Sequence, residues 1–279
     1  LAAGGKRLRP LLVSLCAARE ARDRAELVTA GCAVELVHMA TLVHDDVLDA
    51  TPLRRGRPTI WHSDGRERAT TTGDYLFARA FAELAATGDI EAVTILSDAC
   101  LALARGEILQ RAQTGDPSTS VGAYLERCTL KTGRLFSAAA MLGARFGGLD
   151  RSQGDALGRF AEALGLAFQI ADDVLDCDGN PDTTGKPLGT DLLDGTVTLP
   201  LILAAERDRE VSEVIASGAK PDDVLPTLAR VVASGAIADS QAEARQLATA
   251  ALAELDGVSA PIDHDALREA VRMAVERSA

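Results

Sequence analysis

Two acidic segments of identical sequence are the residues in this chain best suited to bind a metal ion. Residues 45–49 and 172–176 both read D-D-V-L-D. In a helix the first and last aspartates of such a segment are i and i+4, so their carboxylates leave the same face about one turn apart. Like charges at this spacing destabilise a helix, which indicates that a cation balances them. Magnesium is usually held by one or two carboxylates plus substrate phosphates. The two segments therefore predict a metal and diphosphate site.

The chain uses arginine for most of its positive charge, so its few lysines are informative. Of 29 basic residues only four are lysines: Lys6, Lys131, Lys186 and Lys220. The first stands in GGKRLRP (4–10), where glycines allow close backbone approach and three cations lie together. Arg54 and Arg55 follow the first acidic segment, and guanidinium groups can take phosphate oxygens two at a time. These clusters favour diphosphate binding over a merely solvated acidic surface.

Two further polar residues precede the acidic segments by whole helical turns. His38 lies seven residues before Asp45, and Gln169 lies three residues before Asp172. Each would then face the same way as its aspartate. A histidine satisfied within the core and a glutamine with a core hydrogen bond are the alternatives.

The elements that must position these groups are helices. Alanine and leucine dominate, β-branched runs are rare, and Pro and Gly cluster between stretches of helical period. We expect an all-α protein, with shorter helices near its end. The main predicted helices are 10–22, 25–49, 69–86, 90–114, 120–146, 153–177 and 199–206. The loop over 178–198 directly follows the second acidic segment, and loops of this length are usually lids or binding loops.

Composition limits the classes of protein to consider. The 279 residues show no linker or composition shift, so we expect a single domain over 1–279. Because the sequence begins in the middle of a motif, we also expect further residues upstream. The net charge of −12 argues against nucleic-acid binding. Apolar runs such as 199–205 look too short to span a bilayer, which leaves at most peripheral membrane contact. Five cysteines without a C-x-x-C pattern favour a cytoplasmic, reducing location.

Seven segments together resemble the trans-type (E-type) polyprenyl diphosphate synthases. They are GGKRLRP (4–10), ELVHMATLVHDDVLD (35–49), LRRGRPT (53–59), GDYLFARA (73–80), KTGRLF (131–136), FQIADDVLD (168–176) and GKPLGTDL (185–192). The resemblance implies an all-α bundle around a deep central cavity, the isoprenoid synthase fold, with the two acidic segments facing each other near its mouth. It also implies a Mg²⁺-dependent prenyltransferase that joins isopentenyl diphosphate to an allylic diphosphate, and a homodimer.

The same resemblance implies a role for each matching residue. Asp45 and Asp49 would hold Mg²⁺ and Asp172 a third ion, with Asp176 a less certain ligand. Asp46 and Asp173 would also be less certain ligands, or hydrogen-bond acceptors near the metal. The isopentenyl diphosphate contacts would be Lys6, Arg9, His38 and Arg55. The allylic diphosphate contacts would be Arg54, Lys131, Thr132, Gln169 and Lys186. The lysines at 131 and 186 would act with the three main aspartates in catalysis.

Product length is expected to depend on the residues one turn before the first acidic segment. In the family, large side chains there stop the growing prenyl chain, whereas this chain has Ala40 and Thr41, with Val37 a turn further. These small residues predict a product longer than C20, between C30 and C50, and Ala40→Phe should shorten it. Phe77 and Phe136 are candidates for the floor. A C15 or C20 synthase is the nearest alternative, and a terpene cyclase or a non-catalytic synthase subunit is the more distant one.

The sequence departs from the family pattern at two places. The family loop commonly reads D-L-R-E-G-K-x-T-L-P, but residues 193 and 196 are here a neutral leucine and threonine. This puts the strength of loop closure in doubt. The stretch 60–72, which contains Trp61 and His62, is also less typical.

Overall fold

The computed structural model describes residues 7–54, 56–179 and 187–276, and the regular structure there is almost entirely helical. This confirms the all-α prediction. The helices are α1 Leu8–Leu15, α2 Ala25–Leu48, α3 Ile60–Asp64, α4 Arg66–Ala85, α5 Ile90–Ala112, α6 Val121–Cys128, α7 Arg134–Phe146, α8 Arg151–Asp178, α9 Thr190–Leu193, α10 Leu199–Ala205, α11 Arg209–Ser217, α12 Pro221–Ala233, α13 Ala236–Asp256 and α14 His264–Glu276. A π-helical turn, Thr129–Gly133, joins α6 to α7, and a 3-10 turn covers Arg19–Ala21.

Most predicted helices are confirmed within a few residues, and three differences matter. The predicted helix 10–22 ends at Leu15, because the chain bends there into the 3-10 turn. Strands β1, Leu53–Arg54, and β2, Arg57–Pro58, form an antiparallel hairpin that the sequence did not predict. The predicted loop 178–198 contains the short helix α9.

The chain divides into two compact units. The first comprises Leu1–Cys100, Leu135–Ala161 and Leu255–Leu267, and the second comprises Leu101–Arg134, Glu162–Glu254 and Arg268–Ala279. The first acidic segment belongs to the first unit and the second segment to the second unit. The single domain expected over 1–279 stays a prediction.

Helix α2 is the central helix of the first unit and packs against α1 and α4. Its buried residues include Val34, Val37 and Ala40, none of which has exposed surface. Within the described ranges it is the one helix long and apolar enough to cross a membrane, whereas we expected from the sequence that the apolar runs are too short for this. A buried core helix meets the same two criteria, and α2 ends in three aspartates.

The core of the second unit combines the end of α8 with helices from further along the chain. Ile170 and Val174 of α8 pack there with Leu199, Leu201 and other apolar side chains of α10 to α13. Apolar burial of this kind contributes roughly 25 cal/mol per Å² of surface removed from water. The second acidic segment therefore lies on a helix that is fixed by packing. All five cysteines are free thiols.

We expect Gly143→Ala to destabilise the first unit. Helix α7 approaches α1 so closely at Gly143 that an added Cβ would overlap the main-chain carbonyl of Val13, which cannot rotate away. Forced overpacking of this kind costs about 1–3 kcal/mol. Gly122→Ala is the matched control, because its Cβ would meet nothing closer than the Ser120 hydroxyl at 3.9 Å. Urea unfolding should give a lower midpoint for Gly143→Ala and an equal or higher one for Gly122→Ala. Equal midpoints for wild type and Gly143→Ala would contradict the close approach.

Candidate functional site

The first acidic segment is placed by the way α2 ends. The amide of Thr51 donates to the carbonyl of Asp46 at 3.1 Å, and Ala50 between them has a left-handed φ of 49°. This is the Schellman arrangement, in which glycine is usual at the left-handed position. Alanine there costs about 1–2 kcal/mol in backbone energy. The three aspartates therefore lie in the last turns of α2, where the negative end of the helix dipole favours a cation.

The three aspartates of this segment have different surroundings. Asp45 and Asp49 are half-buried and lie one turn apart, since the amide of Asp49 donates to the carbonyl of Asp45 at 2.8 Å. Asp46 is buried and accepts a hydrogen bond from Nε of Arg54 at 2.7 Å. Burial raises the pKa of Asp46, and the contact with Arg54 partly offsets this. The outer pair is thus partly accessible, while the middle carboxylate is buried and contacts the hairpin.

Close packing of α4 fixes the start of the segment. His44 Nε2 lies 3.2 Å from the carbonyl of Thr70 and 3.3 Å from Oδ1 of Asp74. An added Cβ at Gly73 would overlap the His44 ring. The absence of a side chain at residue 73 therefore lets the two helices meet beside the aspartates.

The predicted isopentenyl diphosphate contacts are only partly within the described residues. Lys6 and Arg55 lie outside them. Arg9 on α1 stacks over the ring of Phe136 at 4.7 Å. Burial lowers the pKa of Arg9 to about 10, against the raising effect of Glu35, so the guanidinium remains charged at neutral pH. Its Nε is buried with no hydrogen-bond acceptor among the described residues. His38 is half-buried on α2.

The second acidic segment repeats the division of the first. Asp172 is half-buried, whereas Asp173 is buried and accepts hydrogen bonds from the Tyr124 hydroxyl at 2.6 Å and Gln169 Nε2 at 2.8 Å. Burial raises the pKa of Asp173 to about 7, although both hydrogen bonds lower it. In each segment the first aspartate is accessible and the second is held inside its own unit.

Asp176 accepts hydrogen bonds from the start of α9, a contact that its place in the acidic segment did not predict. Its two carboxylate oxygens accept the amides of Thr190 and Asp191 at 3.2 and 3.1 Å. Its main-chain carbonyl accepts the amide of Gly189 at 2.8 Å. Asp176 thus anchors the first turn of α9, and its predicted role as a metal ligand stays a prediction.

The K-T-G segment forms the π-helical turn between α6 and α7. Such turns are rare and are frequent at functional sites. Lys131 Nζ lies 2.5 Å from Oε2 of Glu107 on α5, and the other carboxylate oxygen accepts from Arg111 at 2.8 Å. An added Cβ at Gly106 would lie 2.9 Å from the Lys131 amide nitrogen, so the two backbones touch there. The structure therefore fixes the lysine to α5.

A short chain of hydrogen bonds connects the π-helical turn to the second acidic segment. The Thr132 hydroxyl donates to Oε1 of Gln169 at 2.9 Å, and Gln169 Nε2 donates to Asp173. An added Cβ at Gly133 would lie 2.7 Å from Leu166, which shows how closely α8 approaches. The structure thus brings together two of the predicted allylic diphosphate contacts. Lys186, a third, lies outside the described residues.

The segment before α10 is held by hydrogen bonds despite its two neutral residues. The buried Arg127 of α6 donates to the carbonyl of Val197 at 2.7 Å and to Oε1 of Gln113 at 2.8 Å. The amide of Gly115 donates to the carbonyl of Gly195 at 2.8 Å. A guanidinium from another helix therefore reaches this loop. The strength of loop closure stays a prediction.

The atypical stretch 60–72 is helical in the structure. It forms α3 and the start of α4, with Gly65 between them at a φ of 85°. The Thr59 side chain caps α3 by accepting from the amide of His62 at 3.2 Å. Trp61 and His62 therefore belong to a short capped helix beside the hairpin.

The proposed chain-length residues differ in accessibility. Val37 and Ala40 have no exposed surface, whereas Thr41 is half-buried and donates from its hydroxyl to the carbonyl of His38 at 2.8 Å. Thr41 is therefore the member of this set whose side chain reaches solvent. Phe136 is buried beneath Arg9, and Phe77 is half-buried with its ring 5.8 Å from that of His44.

The metal expected here fits a two-carboxylate arrangement. In the described part of the chain no group of three or more His, Cys, Asp or Glu side chains is placed to hold a metal by itself. A pair of carboxylates suffices for Mg²⁺ when substrate phosphates complete its coordination. Asp45 and Asp49, one turn apart and partly accessible, meet that requirement.

Three residues of these sites were not found from the sequence: Glu107, Tyr124 and Arg127. Each lies far along the chain from its partner. The residue numbers of the partners differ by 24 for Glu107 and Lys131, by 49 for Tyr124 and Asp173, and by 70 for Arg127 and Val197. A sequence signal existed only for Tyr124, one of two tyrosines in the chain.

Comparison with known proteins connects this geometry to one family. The profile of the family described as polyprenyl synthetase matches residues 1–231. Heptaprenyl diphosphate synthase component 2 of Geobacillus stearothermophilus is 38% identical over 92% of this chain and 81% of its own. A polyprenyl synthase from Caulobacter crescentus CB15, solved with calcium and isoprenyl diphosphate, is 39% identical with a TM-score of 0.93 over 100% of this chain and 87% of its own. A decaprenyl diphosphate synthase from Rhodobacter capsulatus is 35% identical with a TM-score of 0.91 over 100% and 88%.

Proposed function

We infer that this chain, which belongs to the polyprenyl synthetase family, makes a long trans-polyprenyl diphosphate. Members of the family are prenyltransferases with the all-α isoprenoid synthase fold, they depend on a divalent metal, and they use isopentenyl diphosphate and an allylic diphosphate. The observation that carries the assignment is the pair of D-D-V-L-D segments, each with an accessible first aspartate and a buried second one.

We propose Mg²⁺ as the metal, with up to three ions. Asp45 and Asp49 would hold two of them and Asp172 the third, with Asp176 as a further ligand. When bound, these ions neutralise negative charge on the departing diphosphate.

The cationic residues are proposed to bind the two diphosphates. Arg9 and His38, with Lys6 and Arg55, would take isopentenyl diphosphate, and the unsatisfied Nε of Arg9 supports an anion there. Lys131, Thr132 and Gln169, with Arg54 and Lys186, would take the allylic diphosphate. Arg54, proposed here as an allylic diphosphate contact, also pairs with Asp46, and that ion pair uses Nε, one of its three guanidinium nitrogens.

The reaction follows from this charge distribution. Cations around the allylic diphosphate favour heterolysis of its C–O bond, whose electron pair leaves with the diphosphate. The double bond of isopentenyl diphosphate then supplies two electrons for the new C–C bond, and loss of a proton to the released diphosphate restores neutrality. No protein nucleophile is needed. Side chains such as Val37 and Ala40, buried behind the first acidic segment, would keep water from the allylic cation.

Incorporation of labelled isopentenyl diphosphate tests the assignment. With farnesyl or geranylgeranyl diphosphate as primer, label should enter an extended product when Mg²⁺ is present and should not enter it after chelation. A terpene cyclase would consume the primer without incorporating label, and a non-catalytic subunit would do neither. Either of those results would overturn the proposal.

We propose a product of C30 to C50. The small residues before the first acidic segment support this length, as do the relatives whose names specify seven and ten isoprene units. A C15 or C20 synthase would share every catalytic residue and is the alternative.

We expect Thr41→Phe to shorten the product, because its side chain is the accessible one of the set. Ala40→Phe should also shorten it if the protein tolerates a large group at a fully buried position. Thr41→Val, which keeps the size of the side chain, is the control and should leave the length unchanged. Chromatography of dephosphorylated products measures all three, and unchanged lengths for both phenylalanine variants would exclude this site as the limit.

We also propose that the enzyme is a homodimer in the cytoplasm. The free state of all five cysteines agrees with a reducing compartment. Sedimentation of the purified protein would give the oligomeric state, and a monomer would contradict the first part.

A further inference from the structure

Glu107 on α5 lies beside Lys131, which is proposed above to bind the allylic diphosphate. Its carboxylate contacts the Lys131 ammonium at 2.5 Å, and both side chains are about four-fifths buried, with exposures of 19% and 24%. Burial alone would raise the pKa of Glu107, but the charge of Lys131 and hydrogen bonds from Lys131 and Arg111 outweigh it and hold the pKa below its ordinary value. The carboxylate is therefore ionised at neutral pH and forms a partly buried ion pair.

The backbone around this pair is built for close approach. Gly106 precedes Glu107, and an added Cβ there would lie 2.9 Å from the Lys131 amide nitrogen and 3.1 Å from the Lys131 Cβ. The lysine itself lies in the π-helical turn, where the extra residue changes the direction of its side chain relative to an α-helix. A surface ion pair would not need backbone contact of this kind.

We propose that Glu107 is a positioning residue that holds the Lys131 ammonium at the allylic diphosphate site. The proposal rests on the function inferred above. An ammonium on a four-carbon stem loses much rotational freedom when it is fixed. A carboxylate that accepts a hydrogen bond from it fixes its position before the diphosphate binds. Glu107 is thus expected to improve the geometry for reaction.

The same carboxylate opposes binding of an anion. A unit negative charge within several ångströms of a diphosphate weakens its binding about threefold to fivefold at the dielectric of a wet site. Glu107 should therefore weaken ground-state affinity while it increases the rate of the bound substrate. A residue that merely supports the fold would not have these two opposite effects.

Glu107→Gln tests the proposal because it removes the charge and keeps the size of the side chain. We expect kcat to fall about tenfold through lost positioning. The inhibition constant of inorganic diphosphate, measured against the allylic substrate, should fall about threefold to fivefold, meaning tighter binding. The KM for isopentenyl diphosphate should stay unchanged.

Two further variants complete the experiment. Glu107→Asp keeps the charge but withdraws the carboxylate by one methylene, so kcat should fall without tighter diphosphate binding. Glu162→Gln is the control, because Glu162 forms an ion pair with Arg134 at 3.1 Å in the same unit, and both quantities should match wild type.

The outcomes separate this inference from the proposed function. Wild-type kcat and diphosphate affinity in Glu107→Gln would overturn the inference. A fall in kcat with unchanged diphosphate affinity in both Glu107 variants would also overturn it, since a structural role predicts that result. Failure of the proposed function would appear differently, as absence of isopentenyl diphosphate incorporation by the wild-type protein.

Discussion

Asp45→Asn is expected to lower kcat/KM by about a thousandfold or more, because it removes a charged metal ligand whose role is to stabilise the transition state. The same change should leave the free energy of unfolding unchanged or raise it by a few tenths of a kcal/mol, since Asp45 and Asp49 are like charges at i and i+4. The accessible position of Asp45 supports this, because its side chain is not part of a packed core. Loss of activity without loss of stability is the specific expectation.

A matched control and a binding measurement make this prediction sharper. Asp64→Asn changes an aspartate of α3 that pairs with Arg68 at 3.0 Å and lies outside both acidic segments, so its activity should stay within about twofold of wild type. Mg²⁺ with inorganic diphosphate should raise the melting temperature of wild type and of Asp64→Asn. The melting temperature of Asp45→Asn should rise much less. Retention of more than a tenth of wild-type activity by Asp45→Asn would contradict its role as a ligand.

The sequence predicted the helix that carries the first acidic segment more accurately than it predicted the differences within the segment. The expected range 25–49 agrees with α2, Ala25–Leu48, because a long periodic stretch needs only local information. Its end was harder to explain, since Ala50 occupies a left-handed position where glycine would have signalled a stop. The tertiary contacts of the hairpin fix the chain there instead.

The roles of the two middle aspartates show where sequence reasoning stops. D-D-V-L-D is the same string twice, yet Asp46 is held by an arginine eight residues later and Asp173 by a tyrosine 49 residues earlier. Spacing showed which carboxylates share a face, but burial, which depends on the whole fold, determines which of them are accessible. Glu107 was missed for the same reason, because its partner lies on another helix.

The π-helical turn had no usable sequence signal. The stretch 120–146 was expected as one helix, and it is helical throughout, but five residues at Thr129–Gly133 follow the wider winding. The turn coincides with the K-T-G segment that the family resemblance marked as binding diphosphate. Packing of Gly106 and Gly133 against neighbouring side chains and backbone favours this winding, and those contacts form only in the folded protein.

Arg127→Met is expected to destabilise the second unit by about 3 kcal/mol. Arg127 is 3% exposed. Its guanidinium donates to the carbonyl of Val197 at 2.7 Å and to the amide oxygen of Gln113 at 2.8 Å, and it stacks over the Tyr124 ring at 5.4 Å. Methionine fills much of the same volume but leaves two acceptors unpaired, at about 1–3 kcal/mol for each buried group. The loss should be visible as a lower urea midpoint with an unchanged slope.

Arg209→Met is the control for this prediction, because it removes an exposed arginine instead of a buried one. Arg209 pairs with Glu213 at 2.7 Å but its side chain is 91% exposed, so its removal should change the free energy of unfolding by less than about 0.5 kcal/mol. The buried arginine also reaches the loop in which the family's usual basic residues are replaced by Leu193 and Thr196. Limited proteolysis between α9 and α10 should therefore accelerate in Arg127→Met and not in Arg209→Met. Equal cleavage rates would mean that the loop is held by its own main-chain hydrogen bonds rather than by this guanidinium.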